Sequence, residues 1–327
     1  MSQARSRVGD YVVYLLVRVF VCIIQVLSYE GARKFARGLA WLLHKVDRRH
    51  RLVADENLRH AFGEQLDERQ RDQMVRAVYV HFCTLLVEII QFPQKFHASN
   101  WKRYAELYGG DRLVAALLSG RPLMIVTGHF GNWEIAGYAV GLFGFTTHAI
   151  ARTLDNPYLD RFLLSFRERT GQKILAKKGD FDQIQDLLAA SGVIATLADQ
   201  DAGQRGQFVE FFGRPASTHK AVALLALEFN TSLLVLGVPR VGEGEFNGHR
   251  FEAPERYRII LSDYIDPEEY AGRPDAVKAI TQRYTTALER VIRVAPEQYF
   301  WLHRRWKHQP KKPPTKSRGA DATSKVA

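Results

Sequence analysis

The apolar run Leu123–Thr127 passes directly into Gly128-His129-Phe130-Gly131-Asn132-Trp133-Glu134, and this junction constrains the fold more than any other stretch. An unbroken run of this length suits a strand buried on both faces. The residues from Trp133 onward suit a helix. A strand that feeds a helix through a glycine-bracketed turn belongs to α/β architecture, where ligands bind beyond the carboxyl ends of strands. The junction also sets a histidine and a carboxylate five positions apart at such an end. The imidazole can take a proton while a carboxylate fixes its tautomer and supports its charge, so His129 and Glu134 suit a general base and its partner. The same residues also suit a satisfied loop histidine and a helix N-terminal glutamate favoured by the macrodipole. Gly128 and Gly131 favour the functional reading, because they allow close backbone approach to a ligand and free amides near a helix start.

The alternation continues through the second half of the chain. Strands are expected at Leu123–Thr127, Thr146–Ala151, Val193–Ala198, Ser232–Pro239 and Tyr257–Leu261. Helices are expected at Trp133–Phe143, Pro157–Thr170, Phe181–Ala190, Thr218–Phe229 and from Asp275 to Val294. Pro157 fits a first helical turn and Gly171 a helix end. The fold class that follows is α/β, with a largely parallel or mixed sheet flanked by helices. Residues 31–105 show helical spacing, as in Val75, Val78, Phe82, Leu85, Leu86 and Ile89. The expected division is a membrane anchor at 1–30, a helical extension at 31–105, an α/β domain at 106–308 and a disordered basic tail at 309–327.

The anchor is Tyr11–Leu27. As a helix it would extend roughly 25 Å, slightly short of a hydrocarbon core of about 30 Å. Arg18 near its middle is costly in lipid without a partner. Full crossing and a tilted or interfacial placement therefore both stand, beside a buried N-terminal helix. No small-residue cleavage site follows, which argues against a secretory signal. Downstream cations, Arg33, Lys34, Arg37, Lys45, Arg48, Arg49 and Arg51, put the bulk of the chain on the cytoplasmic side by the positive-inside rule. The formal net charge of +11 fits an anionic membrane or nucleic acid. Nucleic acid is the weaker fit, because the cations are dispersed and an apolar anchor is present. Two cysteines, Cys22 and Cys83, fit neither a metal motif nor a disulfide framework.

Three further groups carry chemistry. Asp199-Gln200-Asp201 follows the strand Val193–Ala198 as His129 follows its own strand. It suits substrate positioning or support of His129, then a strand-end turn, and last an Asp-x-Asp metal site. Phe208-Val209-Glu210-Phe211-Phe212-Gly213-Arg214-Pro215-Ala216 suits a buried hairpin or the wall of an acyl groove. Tyr299-Phe300-Trp301-Leu302-His303-Arg304-Arg305-Trp306-Lys307 interleaves aromatics with cations. That suits lipid headgroups, single-stranded nucleic acid, or a terminal helix docked through its aromatics. Arg152 and Arg240, each at a strand end, are candidate phosphate-binding cations.

Together these blocks resemble the bacterial lipid A biosynthesis acyltransferases, the late lauroyl and myristoyl transferases and their relatives, whose fold is glycerolipid-acyltransferase-like. The resemblance runs from the N-terminal anchor to Lys307. It rests on His129-x4-Glu134 beside Ala151-Arg152-Thr153-Leu154-Asp155-Asn156-Pro157, Asp199-Gln200-Asp201, Phe211–Ala216, Trp301–Lys307 and Asn57-Leu58-Arg59-His60-Ala61-Phe62. It implies transfer of a fatty acyl chain from an acyl carrier protein or coenzyme A thioester to a hydroxyl of a lipid A precursor or related glycolipid. It places this reaction at the cytoplasmic face of the bacterial inner membrane. It further implies that His129 is the base and Glu134 its partner, with Asp199 or Asp201 as alternatives. Arg152, Asp199, Asp201 and Arg240 would contact substrate. An oxyanion would meet a backbone amide near Gly131 or the side chain of Arg152. The resemblance requires no cofactor, no metal and no acyl-enzyme. A lipid-binding protein without turnover and a metal-dependent glycosyltransferase using Asp199 and Asp201 are the competing expectations.

Overall fold

The computed structural model describes residues 6–151, 153–168, 172–176, 181–241, 245–246, 249–250 and 256–310. Four long helices come first: α1 (Arg7–Val26), α2 (Tyr29–Val46), α3 (Arg48–Phe62) and α4 (Glu68–Lys95). Each begins on a side chain that accepts a hydrogen bond from an otherwise orphaned amide: Ser6, Ser28, Asp47 and Asp67. Asp67 and Gln70 form a reciprocal capping box. By length and composition α1 and α4 could each cross a membrane, but two-thirds of the α4 window is buried inside the protein, as a core helix would be.

A short helix α5 (Trp101–Tyr104) leads into strand β1 (Ala105–Tyr108) and helix α6 (Gly110–Leu118). The alternation then runs β2 (Leu123–Thr127), α7 (Trp133–Leu142), β3 (Thr147–Ala151), α8 (Pro157–Arg167), β4 (Gln172–Ala176), α9 (Phe181–Ala189) and β5 (Val193–Leu197). A hairpin of β6 (Gln207–Phe211) and β7 (Arg214–Thr218) follows, then α10 (Ala221–Glu228) and β8 (Ser232–Gly237). The chain continues through β9 (Arg240–Val241), β10 (Glu245–Phe246), β11 (His249–Arg250), β12 (Arg256–Ile265) and α11 (Ala276–Val294).

The main sheet has the order β1-β12-β8-β2-β5-β3-β4, with β9 added on β12. All its pairings are parallel except those of β12 with β8 and with β9. The expected α/β class with a largely parallel sheet is therefore the observed one. β2 lies between β8 and β5 and is buried along its whole length, which explains its unbroken apolar sequence.

The helical segment does not stand apart from the sheet. Val75, Val78 and Cys83 of α4 share a core with Phe130, Phe211, Val291 and Trp301. The hairpin reading of Phe208–Ala216 is observed, and the hairpin packs on α11 and the Trp301 segment. Phe211 and Phe212 are buried there, with rings 5.8 Å from Trp306 and 5.5 Å from Trp301 respectively. The Tyr299–Lys307 segment is a series of turns rather than a terminal helix, although its aromatics dock as expected. Trp301 is 1 % exposed and Arg305 2 %, while Arg304 and Lys307 face solvent. The expected basic tail lies outside the described residues from 311 onward.

Candidate active site

β2 and β5 are parallel neighbours in register, with Thr127 opposite Leu197. The Ala198 amide donates to the Thr127 carbonyl at 2.9 Å and extends the ladder one step past the strands. His129 and Asp199 each lie two residues beyond that pair. The strand register therefore delivers one histidine and one carboxylate to the same edge.

The two residues join twice. His129 Nδ1 is 2.8 Å from Asp199 Oδ1, and the His129 backbone amide donates to Oδ2 at 2.9 Å. Asp199 accepts both bonds from deep in the protein, its side chain 2 % exposed. The Tyr299 hydroxyl reaches the same carboxylate. An ionised Asp199 makes Nδ1 the protonated nitrogen and leaves Nε2 as the basic one. Burial pulls the His129 pKa down, but the charge and hydrogen bond of Asp199, with a contribution from Glu134, outweigh it and leave the pKa raised. Burial likewise pushes Asp199 up, and His129 brings it below the ordinary carboxylate value. The pair thus holds an ionised carboxylate beneath a strengthened base.

The turn carrying His129 is held from three sides. The Phe300 amide donates to the His129 carbonyl, and the Gly131 amide donates to the Gln298 carbonyl, both at 3.0 Å. The Asn132 amide donates to Val238 O at 2.7 Å. Gly131 sits at φ +60°, and a Cβ there would come within 2.0 Å of the Val238 oxygen, so only glycine fits. The Gly131 amide itself is taken up by the Gln298 carbonyl.

Glu134 lies in the first turn of α7 and pairs with another partner. Arg167 of α8 grips it through Nη2 at 2.5 Å and Nε at 3.2 Å. Arg167 carried no motif signal; only coordinates reveal it. Asp201 binds His308 Nδ1 at 2.6 Å and the Gly203 amide at 3.2 Å, and its own amide donates to His303 Nε2 at 3.1 Å. His303 and His308 thus join the site, although the sequence reading left them unassigned. Among the described residues no three histidine, cysteine or carboxylate side chains group as a metal site.

Arg240 differs from its expected role. Its guanidinium forks onto Glu88 of α4 at 2.5 and 2.6 Å and touches His81 Nδ1 at 3.2 Å. A cation so engaged and so buried is a structural ion pair rather than a phosphate contact. Arg152 lies outside the described residues.

Beside the dyad a cavity of about 270 Å³ runs between the sheet and α7. Thr127, Trp133, Glu134, Leu197 and Arg167 line one part of it, and Leu113, Val140, Phe143 and Trp101 another. The Trp133 ring also packs 5.2 Å from the His129 ring, which brings the cavity to the base. The Phe208–Ala216 hairpin does not line this cavity.

The structure is thus that of an α/β protein with a His–Asp dyad at a parallel strand end, next to an apolar cavity. Residues 2–308 match the family described as bacterial lipid A biosynthesis acyltransferase, and the chain belongs to that family. It is 25% identical over 288 residues to a lipid A biosynthesis palmitoleoyltransferase of Escherichia coli K12, covering 87% of this chain and 86% of that one. It is 24% identical over 310 residues to a lipid A biosynthesis lauroyltransferase of the same organism, covering 94% of each. A phosphatidylinositol mannoside acyltransferase of Mycobacterium tuberculosis is 29% identical over 153 residues, 45% of this chain and 48% of that one. The chain is an acyltransferase, and its family supports a lipid A or glycolipid acceptor.

Proposed function

We propose that the enzyme moves a fatty acyl chain from a thioester of acyl carrier protein or coenzyme A to a hydroxyl of a lipid A precursor or related glycolipid, with His129 as base. The observation that carries this is the His129–Asp199 dyad set against the apolar cavity. His129 Nε2 takes the proton of the acceptor hydroxyl as its oxygen attacks the thioester carbonyl. The carbon–sulfur bond then breaks, and the thiolate takes that proton back from His129. Asp199 holds the ring and supports its positive charge in between. The step involves no serine or cysteine nucleophile, no cofactor and no metal. A developing oxyanion would be met by a free first-turn amide of α7, close to Gly131 in sequence, or by Arg152.

The donor chain lies in the cavity. The cavity's apolar lining, with Leu113, Val140 and Phe143 in it, suits an alkyl chain. Glu134 and Arg167, a charged pair on the cavity wall, hold the donor end open rather than orient the imidazole. Asp201, with His303 and His308, positions the acceptor, and Arg152 remains a candidate contact to an acceptor phosphate. The reaction takes place at the cytoplasmic face of the inner membrane, where the apolar acceptor resides.

The test is His129→Ala in purified full-length enzyme, with transfer followed by mass spectrometry of the acceptor. Loss of at least 100-fold in kcat with unchanged folding supports the role, in line with the 10²–10⁴-fold typical of a general base. Retained turnover sinks it.

A further inference from the structure

α1 has two distinct long faces. At about 100° per residue, Val8, Val12, Leu15, Val19, Ile23 and Val26 fall within one arc of roughly 80°. All six are 44–83 % exposed. Its polar residues Asp10, Tyr11, Tyr14, Arg18 and Gln25 fall on a second arc of roughly 100°. That second face lies against the catalytic half of the molecule. Asn156, the N-cap of α8, donates to the Asp10 carbonyl at 2.9 Å. Tyr11 packs on Tyr158 with rings 5.3 Å apart, and the Arg18 guanidinium lies 5.1 Å over the Phe162 ring. At the other end Gln91 of α4 donates to the carbonyls of Ile24 and Leu27, at 2.8 and 3.0 Å.

A helix tied at both ends and along its middle cannot cross a bilayer alone. At about 30 Å its length would match the hydrocarbon core only if it stood upright. It would then carry α8 in with it, along with Arg161, which faces solvent. Charges at that depth are strongly disfavoured unless they find a partner or reach the interface. We propose that α1 lies in the plane of an anionic lipid surface, aliphatic stripe toward the acyl chains and polar face on α8.

α2 extends the same surface. Phe20 of α1 meets Phe35 of α2 with rings 5.8 Å apart, and Phe35, Leu42 and Val46 are exposed in turn. Lys34 and Lys45, both exposed, lie about 100° and 80° to one side of Phe35 in that row. Aliphatic stripes bordered by cations are the pattern of an interfacial helix, and the cations select anionic headgroups. The consequence for the site is geometric. α8 rests on α1 at one end and supplies Arg167 to the cavity wall at the other.

The inference rests on the membrane location proposed above and not on the chemistry. The full chain, with Cys22→Ser, is labelled with bimane at Val8→Cys, Leu16→Cys or Val26→Cys and bound to phosphatidylethanolamine–phosphatidylglycerol vesicles. Quenching by lipids brominated at graded depths is expected to place all three probes at one shallow level, about 5–10 Å into the interface. A Leu16 probe at the bilayer centre, with the outer two near opposite surfaces, overturns the in-plane placement. Val12→Asp with Val19→Asp is expected to lower vesicle binding at least tenfold, and unchanged binding overturns the docking face. If the unsubstituted chain ignores vesicles, both this inference and the membrane location fall. Turnover enters neither readout, so acyl transfer is judged separately.

Discussion

His129 and Asp199 stand two residues beyond the register partners Thr127 and Leu197, on adjacent parallel strands. Their 2.8 Å contact is a product of the sheet, not of a local motif. A loop-borne partner could drift, whereas one fixed by strand register is held as firmly as the core. This geometry separates the two carboxylates that compete for the histidine. Asp199 bonds the ring, and Glu134 bonds Arg167.

Asp199→Asn is therefore expected to be the more damaging exchange. The amide removes the charge that supports the imidazolium and presents an N–H to one of its two donors. A fall in kcat on the order of 10²–10⁴-fold is expected, with Glu134→Gln affecting donor KM more than kcat. Steady-state kinetics on both variants decide it, and the reverse ranking would return the partner's role to Glu134.

The pH dependence follows from the raised His129 pKa. The base works neutral, so activity is expected to rise with pH through a value above that of an ordinary imidazole. Stability runs the other way. A histidine whose folded pKa is raised contributes stability in full below its unfolded pKa and loses it as pH climbs through the folded one. Activity and this stabilising contribution should thus cross in one window just above the ordinary imidazole range. The acid limb of kcat/KM, with a denaturant titration at each pH, measures both. An acid limb below the ordinary value contradicts the assigned partner.

Ala139 of α7 lines the cavity and is 2 % exposed. Ala139→Leu adds three carbons to the space proposed for the acyl chain. Preference among thioesters should move toward shorter donors, tenfold or more in kcat/KM for the longest one accepted. Competition between donors of graded length reads this directly, and an unmoved optimum places the chain elsewhere.

Asn57 explains the Asn57–Phe62 block. Its amide donates to the carbonyls of Trp301 and His303 at 2.6 and 2.7 Å, from 4 % exposure. The same turn supplies Phe300 N to His129 and His303 Nε2 to Asp201. Asn57→Leu keeps the branched shape, at a larger volume, and leaves two carbonyls without donors. A loss of about 1–3 kcal/mol is expected for each buried group left unsatisfied. Urea unfolding measures it, and a change under 0.5 kcal/mol, on the order expected at an ordinary surface site, shows that the turn holds itself.

The sheet was largely legible in the sequence. Leu123–Thr127 and Val193–Leu197 are central strands, and burial of the first along its whole length leaves a continuous apolar run that can be read directly. Gln172–Ala176 and Ala105–Tyr108 were missed because end strands are short and mixed in composition. Thr218 was placed in a helix, but it ends β7, and α10 begins at Ala221. His129 was legible from its position at a strand end. The ranking of its neighbours was not: Glu134 stood first because it lies nearby in sequence, with Asp199, 70 residues away, only as an alternative. Arg240 misled for the same reason: its counterion sits 152 residues earlier on α4.

That counterion gives the most demanding stability test. Glu88 is 4 % exposed and binds Arg240 through both oxygens, with the Asn132 amide at 3.3 Å. Burial disfavours charge on Arg240, and Glu88 more than restores it, holding the guanidinium above its ordinary range. Glu88→Ala strands a buried cation, and a cost of about 3–5 kcal/mol is expected. Glu88→Gln keeps the shape and one acceptor and should cost less. Asn132 caps α7, accepting from the Ile135 amide at 3.3 Å, and so links this pair to the helix that starts beside His129. The Glu88→Gln variant should therefore lose turnover out of proportion to its stability, since its folded fraction carries a looser α7 start. Equilibrium unfolding and kcat of the folded enzyme separate the two effects. A Glu88→Ala variant within 1 kcal/mol of the unsubstituted enzyme shows that Arg240 reaches water, and removes the ion pair from the account of the site.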